Sequence, residues 1–197
     1  MQFTYAFKDV SNANSPQNIS LLGNKGAQLC EMTSIGLNVP PFFIISTQAC
    51  KEYFKLGKKW PQNLEQEVIA ALNTLEKQAN KKFDSTNPLF VSVRSGSPAS
   101  MPGMLDTILN IGLNEQTAQA LAKQTGNTLS ALESYKKFLF MFGTTALLIP
   151  QEKFESNFPE NLNESELRDI ILYYKKIIEK NSGKILEQDM FSILKLC

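Results

Sequence analysis

Three short stretches hold the residue types from which chemistry could be built: "GNKGAQ" at Gly23–Gln28, the arginine of "VSVRSGS", and "SGSPASMPGMLDT" running from Ser95 to Thr107. Arg94 is one of only two arginines, with Arg168, among 20 basic residues. Its planar guanidinium can hold two oxygens of one phosphate, which the point charge of lysine does not imitate. It follows the apolar run Leu89, Phe90, Val91 and Val93, so a strand would carry it at its carboxyl end, where open α/β sheets bind ligands. The other reading of a strand-end arginine is a structural salt bridge. Arg168, on the polar face of a late helix, reads as solvated.

Around Lys25, Gly23 and Gly26 would let backbone amides approach an anion, with the N-terminal dipole of the following helix directed at the same place. The spacing is not that of a Walker A loop, which needs G-x-x-x-x-G-K-[ST], because here Gly26 follows the lysine. The alternative is a plain loop-to-helix turn with a surface lysine. In the third stretch Ser95, Gly96, Ser97, Ser100, Gly103 and Thr107 supply donors and open backbone. Met101 and Met104 supply soft apolar surface suited to a flat ring. Such a loop could cover a nucleotide; otherwise it is an irregular loop. Asp106 is a single carboxylate, whereas a Mg²⁺ site needs one or two carboxylates together with substrate phosphates. No residue cluster reads as a metal site.

Composition narrows the chemistry further. With 197 residues, 43% of them apolar and 20% charged, the chain suits an ordinary soluble globular protein with a substantial core. A formal net charge of +1 offers no clustered basic excess for nucleic acid or an anionic membrane. No window approaches eighteen apolar residues, and the first residues do not read as a signal peptide, so a cytoplasmic location is expected. The sequence contains no histidine, which removes Ser-His and Cys-His pairs, histidine metal sites and histidine phosphocarriers. Cys30, Cys50 and Cys197 are scattered and read as reduced thiols.

The elements that must position these residues alternate between strand and helix. "QFTYAF", "VPPFFIIS", "LFVSV" and "TILNIGL" read as strands, with Pro40 and Pro41 tolerated at a strand start. A helix follows Lys25 and stops at Gly36, and Thr47 is placed to cap another that stops at Gly57. Asn63 to Asn80 is amphipathic, with Leu64, Val68, Ala71, Leu72, Leu75 and Ala79 on one face. After Asn114 the pattern is helical only: one helix ends at Gly126, a long apolar one follows, and a third carries Asn163 and Glu166 as a capping box with Gly183 as its stop. A last helix opens in "EQDMFSILKLC". The expected division is an α/β unit over 1–114, with helices on a mixed sheet, and a helical subdomain over 115–197.

Taken together, "LLGNKGAQLCEMTSIGLNVPPFFIISTQAC" and "VSVRSGSPASMPGMLDTILNIGLN" closely resemble the N-terminal ATP-grasp region of pyruvate, phosphate dikinase, with phosphoenolpyruvate synthase a more distant relative. "SYKKFLFMFG" and "SGKILEQD" resemble further segments of that family. The resemblance implies a phosphotransferase that interconverts ATP, phosphate and pyruvate with AMP, pyrophosphate and phosphoenolpyruvate through a phosphohistidine on a swivelling domain. It implies ATP with Mg²⁺ as cofactor. Lys25 and Arg94 fall on the family's ATP-phosphate lysine and arginine, and Gly23, Gly26, Ser95, Gly96, Met101, Gly103, Met104, Asp106 and Thr107 complete the implied ATP site.

Departures from the family pattern are Asn24 in Gly-Asn-Lys-Gly, Phe42 where the family has glycine, Ser97-Pro98 in place of Ala-Arg, and Lys136-Lys137 in place of paired arginines. The loop's second basic group is thereby absent. The family enzyme is several hundred residues longer, so the resemblance implies a fragment whose metal ligands, phosphohistidine and pyruvate-binding barrel lie beyond Cys197. The expected partners are ATP, the remainder of the enzyme or a second copy, and neither nucleic acid nor membrane. The alternative is a non-catalytic interaction module that kept the fold.

Overall fold

The computed structural model describes residues 1–96, 107–155, 158–159, 162–183 and 190–197. The chain divides into two compact units, one formed by Met1–Asn80 with Ser95–Leu105 and the other by Lys81–Arg94 with Asp106–Cys197. This division by contact differs from the boundary at Asn114 suggested by the change of sequence texture.

The first unit is built on a short antiparallel pair, β1 (Thr4–Ala6) and β2 (Phe43–Ile45), in the register Thr4↔Ile45, Tyr5↔Ile44, Ala6↔Phe43. Helix α1 (Pro16–Ser34) begins as its sequence dictates: Pro16 stands in the first turn, where its missing N–H costs nothing, and the Ser15 side chain accepts from the Asn18 amide. Leu22, Cys30 and Ile44 are buried together, with Tyr5, Phe7 and Phe42 packed around them. Helix α2 (Thr47–Lys55) is capped by Ser46, whose hydroxyl accepts from the Ala49 amide. Thr47, the expected cap, instead donates to the Ser20 carbonyl at 2.6 Å. The cap lies one residue earlier because Ser46 has the extended backbone a cap requires.

Helix α3 (Leu64–Ala79) lies between Asn63 and Asn80, both left-handed, and buries Leu64, Val68, Leu72 and Leu75. The amphipathic stripe thus reads true in position and in ends. A single carboxylate ties this helix to the sheet: Glu67 Oε2 accepts from the Phe3 amide at 2.7 Å and the Thr4 amide at 2.8 Å. Bonds to a charged acceptor are the stronger kind, and here they satisfy an edge strand that would otherwise expose its donors.

The second unit opens with β3 (Val91–Arg94), which pairs antiparallel with β4 (Thr107–Ile111). The expected mixed sheet is therefore replaced, among the described residues, by two separate two-stranded antiparallel sheets. The register jumps from Val93↔Ile108 to Val91↔Ile111, a bulge that contains Asn110 at φ 59°. Its effect is to put Ile108 and Ile111, three residues apart, on the buried side, although strict alternation would turn one of them outward.

Among the described residues, four α-helices complete this unit: α4 (Glu115–Thr125), α5 (Thr128–Met141), α6 (Glu164–Ser182) and α7 (Met190–Leu196). Helix α5 packs against α4, α6 and β4. Phe138, Leu139, Phe142, Phe154 and Leu167 form the fully buried centre. The predicted capping box of α6 is present in both directions, and Gly183 ends the helix in the left-handed conformation. Beyond α5 the backbone widens into a π-turn over Phe142–Ala146. A Cβ at Gly143 would lie 2.4 Å from Cζ of Phe154, so glycine is what lets that ring enter the core. The architecture is α+β, and no described helix is long and apolar enough to cross a membrane.

Candidate functional site

The glycines around Lys25 do not form a loop. They lie within α1, where Gly23, buried and at φ 72°, ψ 163°, breaks the helix into two stretches. That backbone region is open essentially to glycine alone. Lys25 follows two residues later, partly buried, in the first turn of the second stretch. The first amides of a helical stretch point back toward its start and carry its positive end. The predicted juxtaposition of lysine and helix start is thus met through a kink rather than a loop. Gly26 has a different use, since a Cβ there would lie 3.0 Å from Cδ1 of Ile44 and 3.3 Å from Cβ of Leu22. Its bare backbone allows α1 to rest on β2.

In the second unit Arg94 ends β3 with its side chain on the outer face of the hairpin and exposed. Its cross-strand partner is Thr107, the first residue of β4. The two candidate residues that bracket the 95–106 segment therefore form a single cross-strand pair. Arg94 makes no salt bridge with a carboxylate among the described residues, so the structural reading of this arginine finds no partner there. Lys25 likewise has no ion pair among them. Arg168, expected to be solvated, holds Glu164 one helical turn away at 2.7 Å.

Ser95 and Gly96 are exposed. A Cβ on Gly96 would lie 3.9 Å from the carbonyl oxygen of Leu22. The residues just after Arg94 thus meet α1 immediately before its kink, bringing two of the three sequence motifs into one neighbourhood within the first unit. Met101, Gly103, Met104 and Asp106, with Ser97 and Ser100, lie outside the described residues.

As for a metal, no group of three or more Cys, Asp or Glu side chains stands together among the described residues. Within the first unit the structure offers Lys25, a helix start and exposed backbone at Ser95–Gly96, groups of the kind that complement an oxyanion; Arg94 belongs to the second unit. Two features escaped the sequence reading. The kink at Gly23 gave no signal beyond the glycine itself, and the buried hydroxyl of Tyr135, in "SYKKFLFMFG", was not singled out.

Residues 54–135, which include Arg94 and the whole hairpin, match the family described as pyruvate phosphate dikinase, AMP/ATP-binding domain. The chain is 48% identical over 156 residues to a pyruvate, phosphate dikinase of Entamoeba histolytica, covering 79% of this chain and 17% of that protein. It is 43% identical over 189 residues to the enzyme of Giardia intestinalis, covering 89% of this chain and 21% of that one. To the chloroplastic enzyme of Flaveria pringlei it is 41% identical over 182 residues, 86% of this chain and 19% of that protein. The chain spans about a fifth of the length of these relatives.

Proposed function

The chain belongs to the pyruvate, phosphate dikinase family, and from that premise we propose that it is the ATP-binding part of such an enzyme, an ATP-grasp N-terminal lobe followed by a helical subdomain. Lys25 and Arg94 neutralise the triphosphate, Arg94 as a two-pronged clamp and Lys25 as a point charge beside the helix start. The backbone of Gly23, Gly26, Ser95 and Gly96 approaches the phosphates. Met101, Gly103, Met104, Asp106 and Thr107 are proposed as further ATP-binding residues of the Ser95 to Thr107 segment. ATP is proposed to arrive with Mg²⁺.

The observation that carries this reading is Arg94: it lies inside the matched region, stands exposed at the hairpin base, and has no ion pair among the described residues. An arginine held at a strand end without a carboxylate is available to an anion. The complete reaction would convert ATP, phosphate and pyruvate to AMP, pyrophosphate and phosphoenolpyruvate. Its phosphohistidine step is not carried by these residues, because the sequence has no histidine. The proposed location is cytoplasmic, and the proposed role of the 197 residues alone is binding without turnover.

Titration calorimetry of the chain with MgATP, beside Arg94→Ala, tests this. We expect measurable binding that weakens about ten- to a hundredfold in the variant, the loss of charge-assisted hydrogen bonds worth about 1.5–3 kcal/mol. No heat from either protein, with both shown folded by circular dichroism, would overturn ATP binding by the chain. Equal affinity for both would remove Arg94 from the site.

A further inference from the structure

Helices α4, α5 and α6 enclose a cleft of about 530 Å³. Its floor is made of small and apolar groups, Ala118, Ala131, Leu132 and Ile171 among them. This volume falls in the range of small-molecule pockets. At its wall stands Tyr135, 3% exposed, whose hydroxyl is buried and has no hydrogen-bond partner among the described residues. An orphaned buried hydroxyl is costly, and native structures seldom leave one unmatched.

The surroundings define what would match it. Burial and the nearby Glu115 carboxylate push the phenol up to about 12, so through the physiological range it stays protonated and needs an acceptor. Six charged side chains line the cleft, three acidic (Glu115, Glu164, Asp169) and three basic (Lys123, Arg168, Lys175). Their charges cancel, which favours an uncharged occupant. Arg168 is taken by Glu164 at 2.7 Å, but Glu115 meets Lys175 only at 3.9 Å and its side chain is 69% exposed, so it is free to swing aside. We propose that this cleft, once the Glu115 side chain moves off its rim, is a binding site for an uncharged, largely apolar small molecule that presents a carbonyl or ether oxygen to the Tyr135 hydroxyl, which the resting cleft leaves buried. The site is separate from Lys25 and Arg94 in its residues and in the chemistry it selects.

The test uses the full chain labelled with ¹⁵N and two probes, cyclohexanone and cyclohexane, alike in shape but only the first carrying an acceptor. We expect saturable shifts from cyclohexanone at α4, α5 and α6 residues of the cleft, binding about tenfold weaker in Tyr135→Phe, and weak cyclohexane binding that the substitution leaves unchanged. The variant should melt no lower than the parent, because it removes a polar group that has no partner. Ala122→Phe, which fills the cleft from a partly exposed position, should abolish the shifts while the fold persists. A lower melting temperature for Tyr135→Phe would show that the hydroxyl is already satisfied, as by an enclosed water, and would overturn the proposal. So would equal loss of both probes in that variant, no saturable shift at millimolar cyclohexanone, or cleft signals that move with protein concentration alone, which would seat a second copy there.

Discussion

Gly23 shows how one residue can shape both the frame and the chemistry of a site. At φ 72° and ψ 163° it occupies backbone space that a residue with a Cβ enters only under strain. The kink gives α1 a second beginning inside its own length, and Lys25 owes its place beside a helix start to it. Gly23→Ala should lower stability by about 1–3 kcal/mol and weaken MgATP binding further than the stability loss explains, since the variant must straighten the kink or bear the strain. Urea unfolding together with calorimetry checks this. Unchanged ATP affinity in a destabilised variant would separate the kink from the site. The sequence marked the position through its glycines and lysine, but it could not distinguish a loop from a kink, because both ask for the same residue.

Among the elements, those with chemical end signals were legible, and those defined by pairing were less so. The Asn163 and Glu166 exchange fixes the start of α6: Asn163 Oδ1 accepts from the Glu166 amide at 3.1 Å and Glu166 Oε2 accepts from the Asn163 amide at 2.8 Å. Asn163→Ala should cost about 1 kcal/mol, read as a shift in the urea midpoint with an unchanged slope. No shift would mean that packing of Leu167, Ile170 and Ile178 alone holds this end.

Strands lack such signals. "LFVSV" and "TILNIGL" were recognisable as extended, yet only Val91–Arg94 and Thr107–Ile111 pair. Whether they joined a larger sheet depended on partners distant in sequence, which periodicity does not reveal. The bulge at Asn110 was equally silent. The adjacency of Arg94 and Thr107 follows from the register, so half of the candidate site's geometry could be guessed only from its order along the chain.

For the whole molecule the informative feature is where the chain changes units. The change of texture at Asn114 is real, but β3 and β4 belong with the helices: Ile108 and Ile111 are buried and α5 packs on β4. A protein comprising residues 115–197 should melt without a cooperative transition, whereas one comprising 81–197 should unfold cooperatively, as followed by circular dichroism. Cooperative melting of the shorter piece would favour the boundary at Asn114.

The same path sets a timetable for synthesis. β3 leaves the ribosome before β4 and before every helix it will share a core with, while the first unit's α1, α2 and α3 have already emerged. For that interval Val91 and Val93 sit on a strand with both edges open, next to a unit that can already begin to collapse. The exposed, charged Arg94 at the end of that strand is the kind of residue that discourages wrong pairing while the chain waits. A residue we place in ATP binding would then serve the protein before any nucleotide is met.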